Sequence, residues 1–198
     1  ASCLRVCDFD SDGDIDVFLG GRDVPGIYGA TPKSFLLIND GKGNFTDQTD
    51  RLAQGLKQIG MVTDASWADV DGDGKKDLVI VGEWMPITIF KNTGKRLTKS
   101  QEIANSSGWW NCIQAADLDG DGDTDFVIGN LGLNSKFKAD ATHPVQLYVN
   151  DFEENGHIES ILTYYKSDSI SYPLELKGEM IMQMPLLKKK FPKYSDYA

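Results

Sequence analysis

The chain has 198 residues, 40% of them hydrophobic and 25% charged, with a formal net charge of −10. This balance describes a globular chain with one sizeable core rather than a disordered one. An acidic sequence without a basic patch is not built to bind nucleic acid, and no run of about 18 apolar residues offers a membrane-spanning helix.

The sequence opens on Ala1-Ser2-Cys3 without an initiator Met or a signal-peptide pattern, so a piece of a longer protein is expected. A first acidic window follows: Asp8-Phe-Asp10-Ser-Asp12-Gly13-Asp14-Ile-Asp16. It runs into the apolar stretch 17–19, stopped by Gly20, and a second apolar stretch at 34–38 leads to the turn signal Asn39-Asp-Gly-Lys-Gly-Asn44. The second window is Asp69-Val-Asp71-Gly-Asp73-Gly74-Lys75-Lys-Asp77, followed by 78–81, Gly82 and a further run at 87–90. The third is Asp117-Leu-Asp119-Gly-Asp121-Gly122-Asp123-Thr-Asp125, followed by 126–128, Gly129 and a run at 145–149. The fourth departs most: Asp151-Phe-Glu153-Glu-Asn155-Gly156-His157-Ile-Glu159, followed by 160–163. Short, β-branched runs bounded by Gly predict buried strands. From about Pro173 the sequence turns to Leu, Met, Lys and Glu, and Pro185 interrupts it. Two short helices or one broken helix are predicted there.

Eighteen of the 30 acidic residues lie in these four windows. Bare carboxylates about 4 Å apart repel by ~1 kcal/mol even in water, so such clustering implies a cation. All four windows keep an oxygen-bearing side chain at positions 1, 3, 5 and 9, Gly at position 6 and an apolar residue at position 2. Calcium takes six to eight hard oxygen ligands at ~2.3–2.6 Å. Side chains at positions 1, 3, 5 and 9 and the backbone carbonyl at position 7 (Asp14, Lys75, Asp123 and His157) form the expected shell, with Gly permitting the bend. Three to four Ca2+ ions are expected, the fourth more weakly held because Glu is longer than Asp and Asn155 is neutral. An EF-hand needs a carboxylate at position 12, where this chain has Leu19, Ile80, Ile128 and Leu162. Magnesium demands stricter octahedral geometry and transition metals prefer His or Cys side chains.

The odd set Cys3, Cys7 and Cys112 gives no disulfide framework. Cys3 and Cys112 each stand five residues before a window, which suggests small core positions. Trp67 and Trp84 are assigned to the core. The Trp109-Trp110 pair is either a sugar-stacking platform or core with one exposed ring, the latter preferred.

The repeated Asp-x-Asp-x-Asp-Gly-x-x-Asp before a strand ending in Gly resembles the FG-GAP/VCBS repeats of β-propellers. Trp67-Ala-Asp-Val-Asp-Gly-Asp-Gly74, Asn130-Leu-Gly-Leu-Asn134, Tyr148-Val-Asn-Asp-Phe152 and Leu186-Leu-Lys-Lys-Lys-Phe-Pro-Lys-Tyr194 are similar to secreted bacterial proteins related to cartilage acidic protein and carrying an ASPIC/UnbV module. The resemblance implies an all-β fold: a segment of about four propeller blades over residues 1–172, and a short helical tail or the start of a further segment over 173–198. It also implies calcium in the loops and an extracellular, cell-surface or periplasmic location. Windows spaced 61, 48 and 34 residues apart straddle the ~40–50 residues of a blade. The function expected is a calcium-stabilised module binding a protein or a glycan. A propeller-based polysaccharide lyase or hydrolase is the alternative, and a purely architectural spacer is a third reading. No nucleophile elbow, P-loop or zinc spacing marks an enzyme.

Overall fold

The computed structural model describes residues 1–166 and 169–197; positions 167, 168 and 198, which fall within the two expected segments, lie outside it. The chain forms two compact units, one of Ala1–Val24 with Thr31–Gly132, the other of Pro25–Ala30 with Leu133–Ala198. The described residues are mostly β, in antiparallel sheets.

In the first unit, β1 (Cys3–Cys7), β2 (Asp16–Gly20), β3 (Phe35–Asn39) and β4 (Phe45–Asp47) make one sheet in chain order. A second sheet holds β5 (Met61–Ala68), β6 (Asp77–Met85), β7 (Thr88–Asn92), β8 (Leu97–Glu102), β9 (Gly108–Ala116) and β10 (Asp125–Asn130). Its order is β10-β9-β6-β7-β8, with β5 also paired to β6. The short helix α1 (Thr49–Leu52) contributes Leu52 to the core.

Strand alternation explains how β6 serves two cores. Leu78 and Ile80 join Phe9, Phe18, Leu36 and Phe90 in one cluster. Val79 and Val81 join Ile113 in another, with Phe126, Ile128 and Trp110 packed against it. A strand buried on both faces reads as a continuous apolar run, which is what residues 78–81 are. Each fully buried Leu, Ile, Val or Phe contributes about 1.5–3 kcal/mol.

The glycines that stop these strands have a packing reason. A Cβ at Gly20 would meet Cys3 Sγ at 2.7 Å, and one at Gly129 would meet Cys112 Sγ at 2.8 Å. Cys3 faces Gly20 and Cys112 faces Gly129 in the strand register, so the two cysteines are equivalent as their spacing suggested. Burial separates them: Cys3 is in the core, whereas Cys112 is exposed, contrary to the expectation of a core position.

Trp67 lies against the first core, as expected. Trp84 corrects its assignment: it belongs to neither cluster. It is the extra residue of a bulge between Glu83 and Met85, where β6 meets β9, and its φ is 59°. A left-handed non-glycine residue costs about 1–3 kcal/mol. The Trp109-Trp110 pair divides, with Trp110 packed against the second core and Trp109 outside both.

In the second unit, β11 (Gln146–Asn150), β12 (Glu159–Tyr165) and β13 (Ser171–Pro173) form a sheet in that order. The tail carries α2 (Lys177–Gln183) and α3 (Leu187–Lys190) on either side of Pro185, followed by a 3-10 turn at Tyr194–Asp196. Lys188, Lys189 and Lys190 fall in α3, which buries none of its residues. Among the described residues, no helix is long and apolar enough to cross a membrane.

Candidate metal centres

Each acidic window is a turn between two antiparallel strands: β1 and β2, β5 and β6, β9 and β10, β11 and β12. The position-12 residues Leu19, Ile80, Ile128 and Leu162 all sit inside the strands that follow. That geometry leaves no room for an EF-hand.

The turns share one hydrogen-bond scheme. The Gly at position 6 donates its N–H to the Asp at position 1: Gly13 to Asp8 (3.2 Å), Gly74 to Asp69 (2.8 Å), Gly122 to Asp117 (3.1 Å) and Gly156 to Asp151 (2.7 Å). The apolar residue at position 2 donates to the acid at position 9: Phe9 to Asp16 (3.1 Å), Val70 to Asp77 (3.1 Å), Leu118 to Asp125 (2.9 Å) and Phe152 to Glu159 (2.9 Å). The N–H at position 7 donates to position 5: Asp14 to Asp12, Lys75 to Asp73, Asp123 to Asp121 and His157 to Asn155, at 2.8–3.0 Å.

The bends need two left-handed residues. Position 6 is Gly in every window, with φ between 83° and 95°. Position 4 is left-handed as well: Gly72 and Gly120, but also Ser11 (φ 62°) and Glu154 (φ 54°). Sequence reading found the first requirement and missed the second, although Gly at position 4 of two windows was its signal.

Three of the windows bring carboxylates together. Asp8, Asp10 and Asp16 form one group, Asp69, Asp71 and Asp77 a second, and Asp117, Asp119 and Asp125 a third, each with one oxygen per residue within 4.8 Å of the others. These are positions 1, 3 and 9. Asp12, Asp73 and Asp121 at position 5 stand outside the groups, as do the position-7 residues Asp14, Lys75 and Asp123. The first window fits a hard cation. There Asp8 Oδ1 and Asp10 Oδ1 are buried and have no hydrogen-bond partner. Two charged acceptors without a donor call for a positive charge between them. Burial, and then the neighbouring Asp12, pushes the Asp10 carboxyl above its ordinary range; burial does the same at Asp16. Repulsion from Asp121 raises Asp123 in the third window. An all-oxygen donor set of flexible geometry suits Ca2+ better than zinc or copper.

The windows differ in what surrounds these groups. A strand beyond the turn clamps the first two: the Asn39 N–H reaches Asp16 Oδ1 at 2.9 Å, and the Asn92 N–H reaches Asp77 Oδ1 at 2.7 Å. Asn39 and Asn92 end β3 and β7, which pair with β2 and β6. Among the described residues, β10 is the last strand of its sheet and no corresponding bond reaches Asp125. The run at 145–149, read from sequence as the third unit's second strand, instead pairs as β11 with β12.

The second window has lysines of its own. Lys91, from β7, bonds Asp71 and lies 3.8 Å from Asp73, and Lys75 bonds Asp73 at 3.0 Å. Lys75 is thus tied back to its own turn. The Lys75 bond holds the Asp73 carboxyl below its ordinary range. Lys91 was not legible as part of the site because it lies 14 residues beyond the window.

The fourth window keeps the turn and forms no such group among the described residues. Glu153 Oε1 accepts the Leu186 N–H at 2.7 Å, just ahead of α3, and Oε2 lies 3.3 Å from Asn155 Nδ2. Backbone bonds from Gly156 and then Asn155 keep the Asp151 carboxyl low.

A family model described as an FG-GAP-like repeat matches residues 8–80 and again 69–128. Each match starts on the first Asp of a window and ends in the strand after the next window, so what it detects is the turn-and-strand unit described above. No curated protein matches the chain at a significant level.

Proposed function

Because the chain belongs to the FG-GAP-like repeat family, we propose that its sheets are blades of a β-propeller and its acidic turns hold Ca2+, making it a calcium-stapled binding module. The reading is carried by the two buried, donorless oxygens of Asp8 and Asp10, which sit where a cation would complete the turn. The ions would be structural: Asp8, Asp10 and Asp16, with their counterparts in the next two turns, would hold them, and the ions would tie each pair of strands at its loop end. Three carboxylates at a solvent-facing turn suit the ~10⁻⁴–10⁻³ M affinity of extracellular calcium modules, which supports a location outside the cytoplasm. Its partner is a protein or a glycan.

Binding is favoured over hydrolysis by how the other carboxylates are used. Asp64 is held by Arg5 and by the Ile113 N–H at 3.1 Å. Glu83 is held by Arg22 at 2.5 Å. Asp140 is held by Thr142 and His143. Groups anchored in this way are poorly placed to shuttle protons.

Calorimetric titration of Ca2+ into chelator-stripped protein tests the reading. Three ions per chain are expected, with a rise in melting temperature that an equal concentration of Mg2+ does not reproduce. A flat titration up to several millimolar Ca2+ overturns it.

A further inference from the structure

We propose that β10 is a self-docking edge: two copies of the chain join β10 to β10, antiparallel about a two-fold axis at Val127, and the Asn130 N–H of each copy closes on Asp125 of the other. The chain shows twice what fills this place. Beyond the first turn, β3 lies antiparallel on β2, with Leu37, Leu36 and Phe35 opposite Val17, Phe18 and Leu19. Beyond the second, β7 lies antiparallel on β6, with Phe90, Ile89 and Thr88 opposite Leu78, Val79 and Ile80. Each added strand ends in Asn. Its N–H reaches the acid that closes the turn, and its Oδ1 takes the N–H of a Gly two residues on, Gly41 or Gly94. Phe126, Val127 and Ile128 hold the corresponding positions after the third turn, and among the described residues no strand lies beyond them. Asp16 and Asp77 each accept two backbone N–H groups and are 1% exposed. Asp125 accepts one, from Leu118, and is only half-buried.

β10 also has the form of the strand its edge lacks. Like β3 and β7, the run 126–130 is five residues long and ends in Asn. The Asn130 Oδ1 takes the N–H of Gly132 at 3.2 Å, as Asn39 and Asn92 do with their own glycines. The Leu131 N–H turns in to the Trp109 carbonyl at 2.9 Å. Alternation along the strand therefore turns the N–H groups of Phe126, Ile128 and Asn130 outward. A second β10, laid in the register that β3 takes on β2, sets Val127 against Val127 and Phe126 against Ile128. Phe126 and Ile128 then exchange backbone bonds across the pair, and the Asn130 N–H faces Asp125. The contact is isologous, so it closes at two copies. Residues 126–130 contain no charge and no proline, the usual guards of an open edge.

Sedimentation velocity on the whole chain tests the pairing, with Ca2+ present and about 0.15 M salt to screen the net charge of −10. A dimer is expected to form below about 200 μM, with hydrogen exchange at Ile128 and Asn130 slowing as the concentration rises. The Val127 side chain is exposed, so Val127→Lys and Val127→Glu should fold with melting temperatures within about 3 °C of the parent. Each alone sets like charges face to face and should weaken association about tenfold or more, and an equal mixture of the two should restore it. A parent that stays monomeric at about 200 μM overturns the proposal. A dimer that persists in both variants uses another surface and overturns it. A mixture that associates no more tightly than its components excludes the axis at Val127 and does the same. Slow exchange at Ile128 and Asn130 in dilute monomer means that the edge is already covered, which also overturns it. A synthetic peptide of residues 86–94 that protects β10 while the chain stays monomeric assigns the edge to a foreign strand and overturns self-pairing.

Discussion

The first and fourth acidic turns share a backbone scheme and differ in where the third side chain goes. Both run from a Gly N–H onto the first Asp and from the second residue's N–H onto the last acid. In the first turn Asp10 stays with Asp8 and Asp16. In the fourth, Glu153 is long enough to reach the Leu186 N–H and leaves the group. The shape of the turn therefore comes from N–H groups and left-handed residues, and the gathering of carboxylates is a separate property that the turn alone does not bring. A turn of this shape is not by itself a calcium site.

The largest expected effect breaks the shared scheme. Asp16→Ala leaves the buried N–H of Phe9 and the part-buried N–H of Asn39 without acceptors, each worth about 1–3 kcal/mol. The melting temperature of metal-free protein should fall by roughly 10 °C. Glu159→Ala, which orphans only Phe152, should cost about half as much by the same measurement. Next, Glu153→Asp shortens the reach to Leu186 and returns a carboxylate to the fourth turn. Calorimetry should then count one more ion per chain than in the parent; an unchanged count would mean that Asn155 or Glu159 also bars the site. Third, Lys91→Met removes the cation that answers Asp71, and Ca2+ affinity at the second turn should rise several-fold in a calorimetric titration. The smallest effect is at position 4. Ser11→Gly and Glu154→Gly each relieve a left-handed residue and should add about 0.5–1 kcal/mol, or roughly 2 °C in a thermal melt.

Much of this was legible in sequence because it is local. Carboxylates at positions 1, 3 and 9, the Gly at position 6 and the strand ending in Gly all fall within a dozen residues. The calcium reading and the exclusion of an EF-hand needed nothing more. What escaped came from chain brought in from a distance. Lys91 reaches the second turn from the next strand but one, Leu186 reaches Glu153 across 33 residues, and Asn39 and Asn92 clamp their turns from β3 and β7. Trp84 was misplaced for another reason. An apolar run of strand residues predicts burial, and nothing in residues 81–85 announces the bulge that turns one ring out of the core.

The two-sided burial of β6 has a consequence for how the chain finds its fold. A strand that is apolar on both faces could shift along its neighbours by one residue and still hide its side chains, so hydrophobicity alone leaves its alignment ambiguous. Asp77 removes the ambiguity. One oxygen takes the Val70 N–H on the incoming side and the other takes the Asn92 N–H on the outgoing side, and only one alignment satisfies both. The acid that ends each turn is thus also the mark against which the hairpin is measured. A misaligned β6 would be caught by an unmet charge rather than by a misplaced methyl group.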